Sequence, residues 1–289
     1  MIPEPYTVAA VQMVSGARVD ENLATAERLI RQAVNLGADM VVLPEFFAIF
    51  GHDDRDKCRI AEPHGLGSES PIQNQLSALA AELGITLVAG TLPIRSPDPD
   101  RVFNTVLVYD PKGVELARYD KLHLFAFDNG KERYDEARSL VPGTQLVSCT
   151  TLAGRTGLSV CYDLRFPEFF RSLSSPSPLD LIVLPAAFTF TTGQAHWEIL
   201  LRARAIENQC WLVASAQGGQ HSNGRATWGH SMVIDPWGTI VACCEQGEGL
   251  ALAKVDPGLT EKVRLNLPAL RHRQSALQLP RSTKGEPCS

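Results

Sequence analysis

No run in the 289 residues approaches the roughly 20 apolar positions of a membrane span, and the opening MIPEPYTVAAVQM lacks the basic-then-apolar order of a secretory leader. Positive charge is not in excess. With 27 Lys+Arg against 32 Asp+Glu, the net charge of −5 provides no bulk field for nucleic acid or an anionic membrane, so neither is expected as a partner. Cysteine pairing patterns are missing too: the seven cysteines are odd in number, and their only short spacing is the adjacent Cys243 and Cys244. That excludes a small disulfide framework, and without Cys-x-x-Cys or Cys/His clusters no metal site is expected. These absences predict a soluble cytoplasmic protein with reduced thiols. What is present is ordinary globular material, 44% hydrophobic and 20% charged, long enough for a large core.

Periodicity predicts a strand over residues 7–13 and a helix over 22–36 that stops at Gly37. Met40 to Leu43 forms a short apolar run ending at Pro44. Ser70 and Pro71 read as N-cap and first-turn proline of a helix closed by Gly84, with strands following at 85–91, 102–109 and 114–119. Three blocks then recur in the same order. Asp39-MVVLP-Glu45 returns as Asp180-LIVLP-Ala186, GITLVAG before Thr91 as QCWLVAS before Ala216, and LVYDPKGVELA as MVIDPWGTIVA. Two like halves of strands and helices predict a four-layer α-β-β-α sandwich with an internal pseudo-twofold repeat. Residues 1–273 are expected to form one domain, followed by a polar tail over 274–289.

Chemistry-bearing residues sit where strands run out. Glu45 follows VVLP, Lys121 lies in YDKLHLF, and Cys161 lies in GLSVCYDLRFPEFFRSL, at a strand-to-helix turn where a helix N-terminus favours thiolate. Singly, each has an ordinary reading as a buried small hydrophobe, a loop charge or a surface lysine. The repeat places Ala186 opposite Glu45, so the shared architecture does not itself demand a carboxylate there.

Taken together, LPEFF, YDKLHLF and GLSVCYDLRFPE, with AHWEILLRARAIENQCWLVASAQ downstream, resemble the nitrilase superfamily of carbon-nitrogen hydrolases from about Thr7 to about Arg273. The resemblance implies an αββα sandwich and a Glu-Lys-Cys triad, carried here by Glu45, Lys121 and Cys161. It also implies a second glutamate between the lysine and cysteine motifs; Glu136 is the match, with Glu132 four residues away as the competing alignment. In this scheme Glu45 is the general base, Lys121 and the backbone N–H of Tyr162 receive the oxyanion, and a thioester forms without metal or organic cofactor.

Around this centre, Asp163, Arg165 and Glu168 read as ion-pair scaffolding for the elbow, with Arg165 alternatively meeting substrate. The segment from Ala187 to Glu198 is expected to line the pocket, which makes Phe188, Thr189 and His196 candidate substrate contacts. Arg202, Arg204, Glu207 and Asn208 share a helix and read as structural support or subunit contact. CYDLRFPEFFRSL and GHSMVIDPWG are similar to the Nit branch, which implies a linear carboxylated amide as substrate. Deaminated glutathione is the first expectation and 2-oxoglutaramate, the ω-amidase substrate, the alternative; a nitrile, or a non-catalytic interaction module, are further readings. Arg165, Arg133 and Arg225 are candidate carboxylate-binding cations. The resemblance also implies a homodimer or larger homo-oligomer, with helix 195–209 and the tail as interface segments.

Overall fold

The computed structural model describes residues 4–130 and 132–274. The expected polar tail, apart from Gln274, and Cys288 lie outside the described residues.

Two six-stranded sheets form the centre of the molecule. In spatial order the first runs Gly249–Val255, Tyr6–Gln12, Met40–Val42, Thr86–Arg95, Val102–Tyr109, Glu115–Asp120. The second runs Ser148–Thr151, Gly154–Leu158, Leu181–Ala186, Trp211–Ala216, Ser231–Ile234, Ile240–Cys244. Read in that direction, both sheets pair as antiparallel, parallel, parallel, antiparallel, antiparallel. The three recurring sequence blocks occupy equivalent strands of the two sheets, which is the expected pseudo-twofold repeat.

Matching polar contacts reinforce the repeat. Thr7 N–H donates to Asp39 Oδ2 at 2.8 Å, and Arg155 N–H donates to Asp180 Oδ2 at 2.9 Å. In the two Asp-Pro-x-Gly turns, Asp110 Oδ1 accepts from Lys112 and Val114, and Asp235 Oδ1 accepts from Trp237 and Thr239.

Strand alternation builds the layers, because successive side chains point to opposite faces of a sheet. From the first sheet, Val8, Ala10, Met40, Val42 and Val88 face the second sheet and share one apolar layer with it. Their neighbours Ala9, Val11, Val41, Leu87 and Ala89 face outward, onto the helices Val19–Asn35 and Pro71–Leu83. On the other side Trp197, Leu201 and Ala205 of helix Phe190–Asn208 cover the second sheet. The result is α-β-β-α.

One expected cap is different. Ser70 stands at the N-cap position, but its hydroxyl donates to Pro63 O at 3.2 Å instead of accepting from the helix. The buried Glu62 carboxylate does the capping, accepting from Ile72 N–H at 2.6 Å, Gln73 N–H at 3.1 Å and Gln73 Nε2 at 3.0 Å. A carboxylate also suits the positive end of the helix dipole. Glu62→Ala is therefore expected to cost about 1–3 kcal/mol, since it orphans buried donors, and Ser70→Ala less. Chemical denaturation of the two variants ranks them; a larger loss from Ser70→Ala would reverse the assignment.

Candidate active site

Glu45, Lys121 and Cys161 converge from both sheets, each from just beyond a strand end. Glu45 follows Met40–Val42 in a turn whose next residue, Phe46, has φ +56°, and Phe46 N–H is held by Thr91 Oγ1 at 2.7 Å. The neighbouring strand must come close here. A Cβ on Gly90 would lie 2.1 Å from Pro44 O, so the glycine of GITLVAG is required by backbone approach. Lys121 follows Glu115–Asp120, and its N–H donates to Asn104 O at 2.9 Å.

Cys161 follows the second-sheet strand Gly154–Leu158 and opens the 3-10 turn Cys161–Arg165 with φ +45°. Positive φ at a non-glycine residue costs energy and persists only where the surroundings impose it. Asp163 imposes it: its Oδ2 accepts from Val160 N–H at 2.8 Å and Tyr119 Oη at 2.7 Å, and its Oδ1 lies 2.7 Å from His123 Nδ1. His123 in turn stacks on Phe166, with ring centroids 3.8 Å apart. The elbow is thus held by one buried carboxylate and its hydrogen bonds, which refines the expected ion-pair scaffold. Neither Arg165 nor Glu168 takes part in an ion pair among the described residues.

In the charged cluster Lys121 and Glu45 are buried, and Glu136 is partly exposed at its edge. Lys121 Nζ donates to Glu45 Oε1 at 2.8 Å and to Glu136 Oε1 and Oε2 at 2.9 and 2.8 Å, so the structure brings Glu136 to the lysine. Glu132 instead accepts from Thr191 Oγ1 at 3.1 Å. Glu45 Oε1 also accepts from Asn104 Nδ2 at 2.8 Å, while Oε2 accepts from Ala187 N–H at 2.9 Å. Ala187 follows Ala186, the repeat partner of Glu45, so the second half contributes an amide where the first contributes the acid. Glu136 Oε2 takes a further bond from Phe125 N–H at 2.7 Å.

These surroundings set the protonation states. Burial alone would pull the Lys121 ammonium down, but Glu136 and Glu45 outweigh it and hold the group above its ordinary value. Burial raises the Glu45 carboxyl despite Lys121, which suits a group that must take and return a proton. At Cys161 burial works against the thiolate that a helix N-terminus would favour. Burial, then the negative charge of Glu45, push the Cys161 thiol well above its ordinary value, with Lys121 only partly offsetting them. A thiolate would add a further negative charge beside these carboxylates.

Two lobes of open space meet at Cys161. The larger, of about 600 Å³ including its solvent mouth, is lined by Glu45, Glu136, Lys57, Tyr134, Arg225 and Asp54 among others. The smaller, about 200 Å³, is lined by Tyr162, Arg165, Phe188, Thr189 and Thr192. Arg165 lies over the rings of Phe188 at 5.1 Å and Tyr162 at 5.9 Å. Tyr162, Arg165, Phe188 and Thr189 are therefore together as expected, whereas His196 meets the Arg165 guanidinium, with Nδ1 3.3 Å from Nη1. Arg225 lines the larger lobe but is paired with Asp54 at 3.0 Å. Arg133 is 81% exposed and faces Asp128 at 3.8 Å, which removes it from the candidate cations of the cleft.

Sequence reasoning missed Asn104 and Lys57. Asn104 carried a usable signal, a polar residue at an inward position of the apolar strand VFNTVLVY. Lys57 carried none, because it lies on a four-residue helix, Asp56–Arg59, within a loop. The six cysteines among the described residues are all unpaired. No helix among those residues is long and apolar enough to cross a membrane.

The family model described as "Carbon-nitrogen hydrolase" matches residues 7–265. A deaminated glutathione amidase of Synechocystis sp. is 41% identical over 274 residues, which is 93% of this chain and 98% of that protein. The Homo sapiens deaminated glutathione amidase is 40% identical over 275 residues, 93% of this chain and 83% of that one. The crystal structure of the C. elegans NitFhit protein superposes with a TM-score of 0.88 at 38% identity, covering 96% of this chain and 67% of that chain. With the family model spanning nearly all of both sheets, and curated relatives about 40% identical over 93% of its length, this chain belongs to the carbon-nitrogen hydrolase family.

Proposed function

We propose that the protein is a thiol-dependent amidase that splits deaminated glutathione into 2-oxoglutarate and cysteinylglycine. The observation that carries this reading is a thiol on a positive-φ elbow, in a buried Glu-Lys-Glu cluster, at the junction of two lobes. Similarity to amidases of that name supports the choice of substrate.

In the first step Glu45 takes the Cys161 proton as sulfur attacks the amide carbonyl, and the carbonyl electron pair moves onto oxygen. Lys121 receives the oxyanion. One of its N–H groups can straddle both oxygens of Glu136 and a second serves Glu45, which leaves the third for the new charge. The N–H of Tyr162 is the second donor, because the first amides of a helical turn have no acceptor within the turn. Collapse restores the carbonyl and breaks the C–N bond, and Glu45 returns the proton to the departing amine. A water then loses a proton to Glu45 and attacks the thioester; collapse breaks the C–S bond, and sulfur takes the proton back.

Glu136 keeps Lys121 charged and in place, and Arg165, against Phe188 and Tyr162, takes a substrate carboxylate with Thr189 beside it and His196 behind it. The same reading makes residues 1–273 one catalytic unit and the enzyme cytoplasmic, with neither nucleic acid nor membrane as partner. The enzyme is expected to be a homodimer or larger homo-oligomer. Ile199 and Ile206 are exposed on helix Phe190–Asn208, and Trp237 is 61% exposed nearby on the turn whose Gly238 packs against Ile206. Such apolar exposure suits an interface.

A turnover panel tests the substrate. The kcat/KM for deaminated glutathione is expected to exceed those for 2-oxoglutaramate and a matched nitrile. Preference for 2-oxoglutaramate would make the protein an ω-amidase, and a folded protein that turns over none of the three would favour an interaction module.

A further inference from the structure

The two lobes at Cys161 hold different chemistry, and each has one cation without a carboxylate partner. In the larger lobe Glu45 and Glu136 are committed to Lys121, and Asp54 to Arg225. Asp135 lines the same lobe and makes no ion pair among the described residues. Lys57 has no carboxylate within ion-pair distance there either. Its Nζ reaches Ser139 Oγ at 3.3 Å and lies 4.9 Å over the face of Phe46. Burial pulls its ammonium below the ordinary value, with Glu136 and Asp54 restoring only part, so an anion bound beside it would be favoured. In the smaller lobe Arg165 is held by aromatic faces and His196, with no ion pair among the described residues.

The position of Glu45 orients a substrate between them. The acid that protonates the departing nitrogen must lie beside that nitrogen, and Glu45 lines the larger lobe with Lys57. Cys161 lines both lobes, whereas the smaller one is formed without Glu45. Once sulfur is bonded to the carbonyl carbon and the oxyanion lies at Lys121, the nitrogen points into the Lys57 lobe and the acyl chain into the Arg165 lobe. Sizes agree with this, because a five-carbon acyl group is the smaller half of the proposed substrate.

We propose that the cleft sorts the two ends of its amide: Lys57 binds a carboxylate carried by the leaving amine, and Arg165 binds the carboxylate of the acyl half. This rests on the amidase reading and adds a specificity-determining residue to it. After acylation the Lys57 lobe empties with the amine and admits water to Glu45, while Arg165 keeps hold of the acyl group.

Two substrates with the same acyl half separate the roles. Deaminated glutathione carries a carboxylate on its leaving amine, and 2-oxoglutaramate releases ammonia. Lys57→Met is expected to lower the ratio of their kcat/KM values by about tenfold to a hundredfold, mainly through KM for deaminated glutathione, as loss of a charge-assisted contact implies. Lys57→Arg should restore part of it. Arg165→Met should depress both substrates in parallel. An unchanged ratio in Lys57→Met, whether both activities fall or neither does, overturns the proposal, and so does a ratio shifted by Arg165→Met alone. If the wild-type enzyme accepts neither substrate, the substrate reading fails separately. Lys57 is then tested on whichever amide is accepted, in N-carboxymethyl and unsubstituted forms. Calorimetric binding of cysteinylglycine needs no turnover; binding that survives Lys57→Met undiminished also refutes the assignment.

Discussion

Replacing Cys161 by alanine is expected to lower amide turnover by roughly ten-thousandfold or more, with the folded structure kept. The sulfur is the atom that bonds to carbon, and among the described residues no other thiol lies in the cluster. Removing it deletes a step instead of weakening one. Folding should tolerate the change. The positive φ of residue 161 is imposed by Asp163 through Val160 and Tyr119, and none of those contacts uses the sulfur. Steady-state assay of the variant alongside its thermal midpoint checks both halves. Undiminished hydrolysis in a folded Cys161→Ala protein would remove the nucleophile from this account.

The second large effect belongs to Lys121. Lys121→Met keeps the stem and deletes an ammonium that joins two carboxylates inside the protein. Turnover should fall by about a hundredfold to a thousandfold, the loss associated with one oxyanion donor. Stability should fall as well, by about 3–5 kcal/mol, because removing one partner of a buried ion pair strands the others. The pH range follows from the direction of the shift. Lys121 is held above its ordinary value, so the wild-type ammonium is present and its stabilisation intact throughout the neutral range, and that stabilisation is lost as the pH climbs from the ordinary lysine value through the raised one. In the variant, Glu45 and Glu136 face each other without it. Chemical denaturation near neutral pH, paired with kcat, measures both. By contrast, the exposed pair between Arg18 and Asp20 is screened by solvent, and breaking it should be nearly silent.

The sandwich was legible because its determinants are local and repeated. Asp39 and Asp180 begin equivalent strands, and Asp110 and Asp235 close equivalent turns, so like sequence marks like contacts in both halves. Glu45, Lys121 and Cys161 were legible as motif residues at strand ends. Glu136 was the motif match, with Glu132 as the competing alignment, and the fold brings Glu136 to Lys121 while Glu132 bonds Thr191. The electrostatic surroundings of Cys161 were hidden for a related reason. A turn at the start of a helix suggests a stabilised thiolate, but the outcome depends on burial and on two carboxylates that are distant in sequence. Ser70 was legible as the N-cap position before Pro71, but the acceptor that serves the helix, Glu62, lies in the preceding loop and leaves no local signal. Lys57 and the lobe it shares with Glu45 depend on loops meeting across the two halves, and no periodicity records that.

Rapid-quench mass spectrometry of the enzyme mixed with deaminated glutathione tests the central claim most directly. The account predicts a transient mass increment of one 2-oxoglutaryl group, mapped to the peptide containing Cys161, labile to hydroxylamine as a thioester, and missing from Cys161→Ala. Turnover that proceeds at full rate with no acyl group on Cys161 at any quench time, or with the group on another residue, would contradict it.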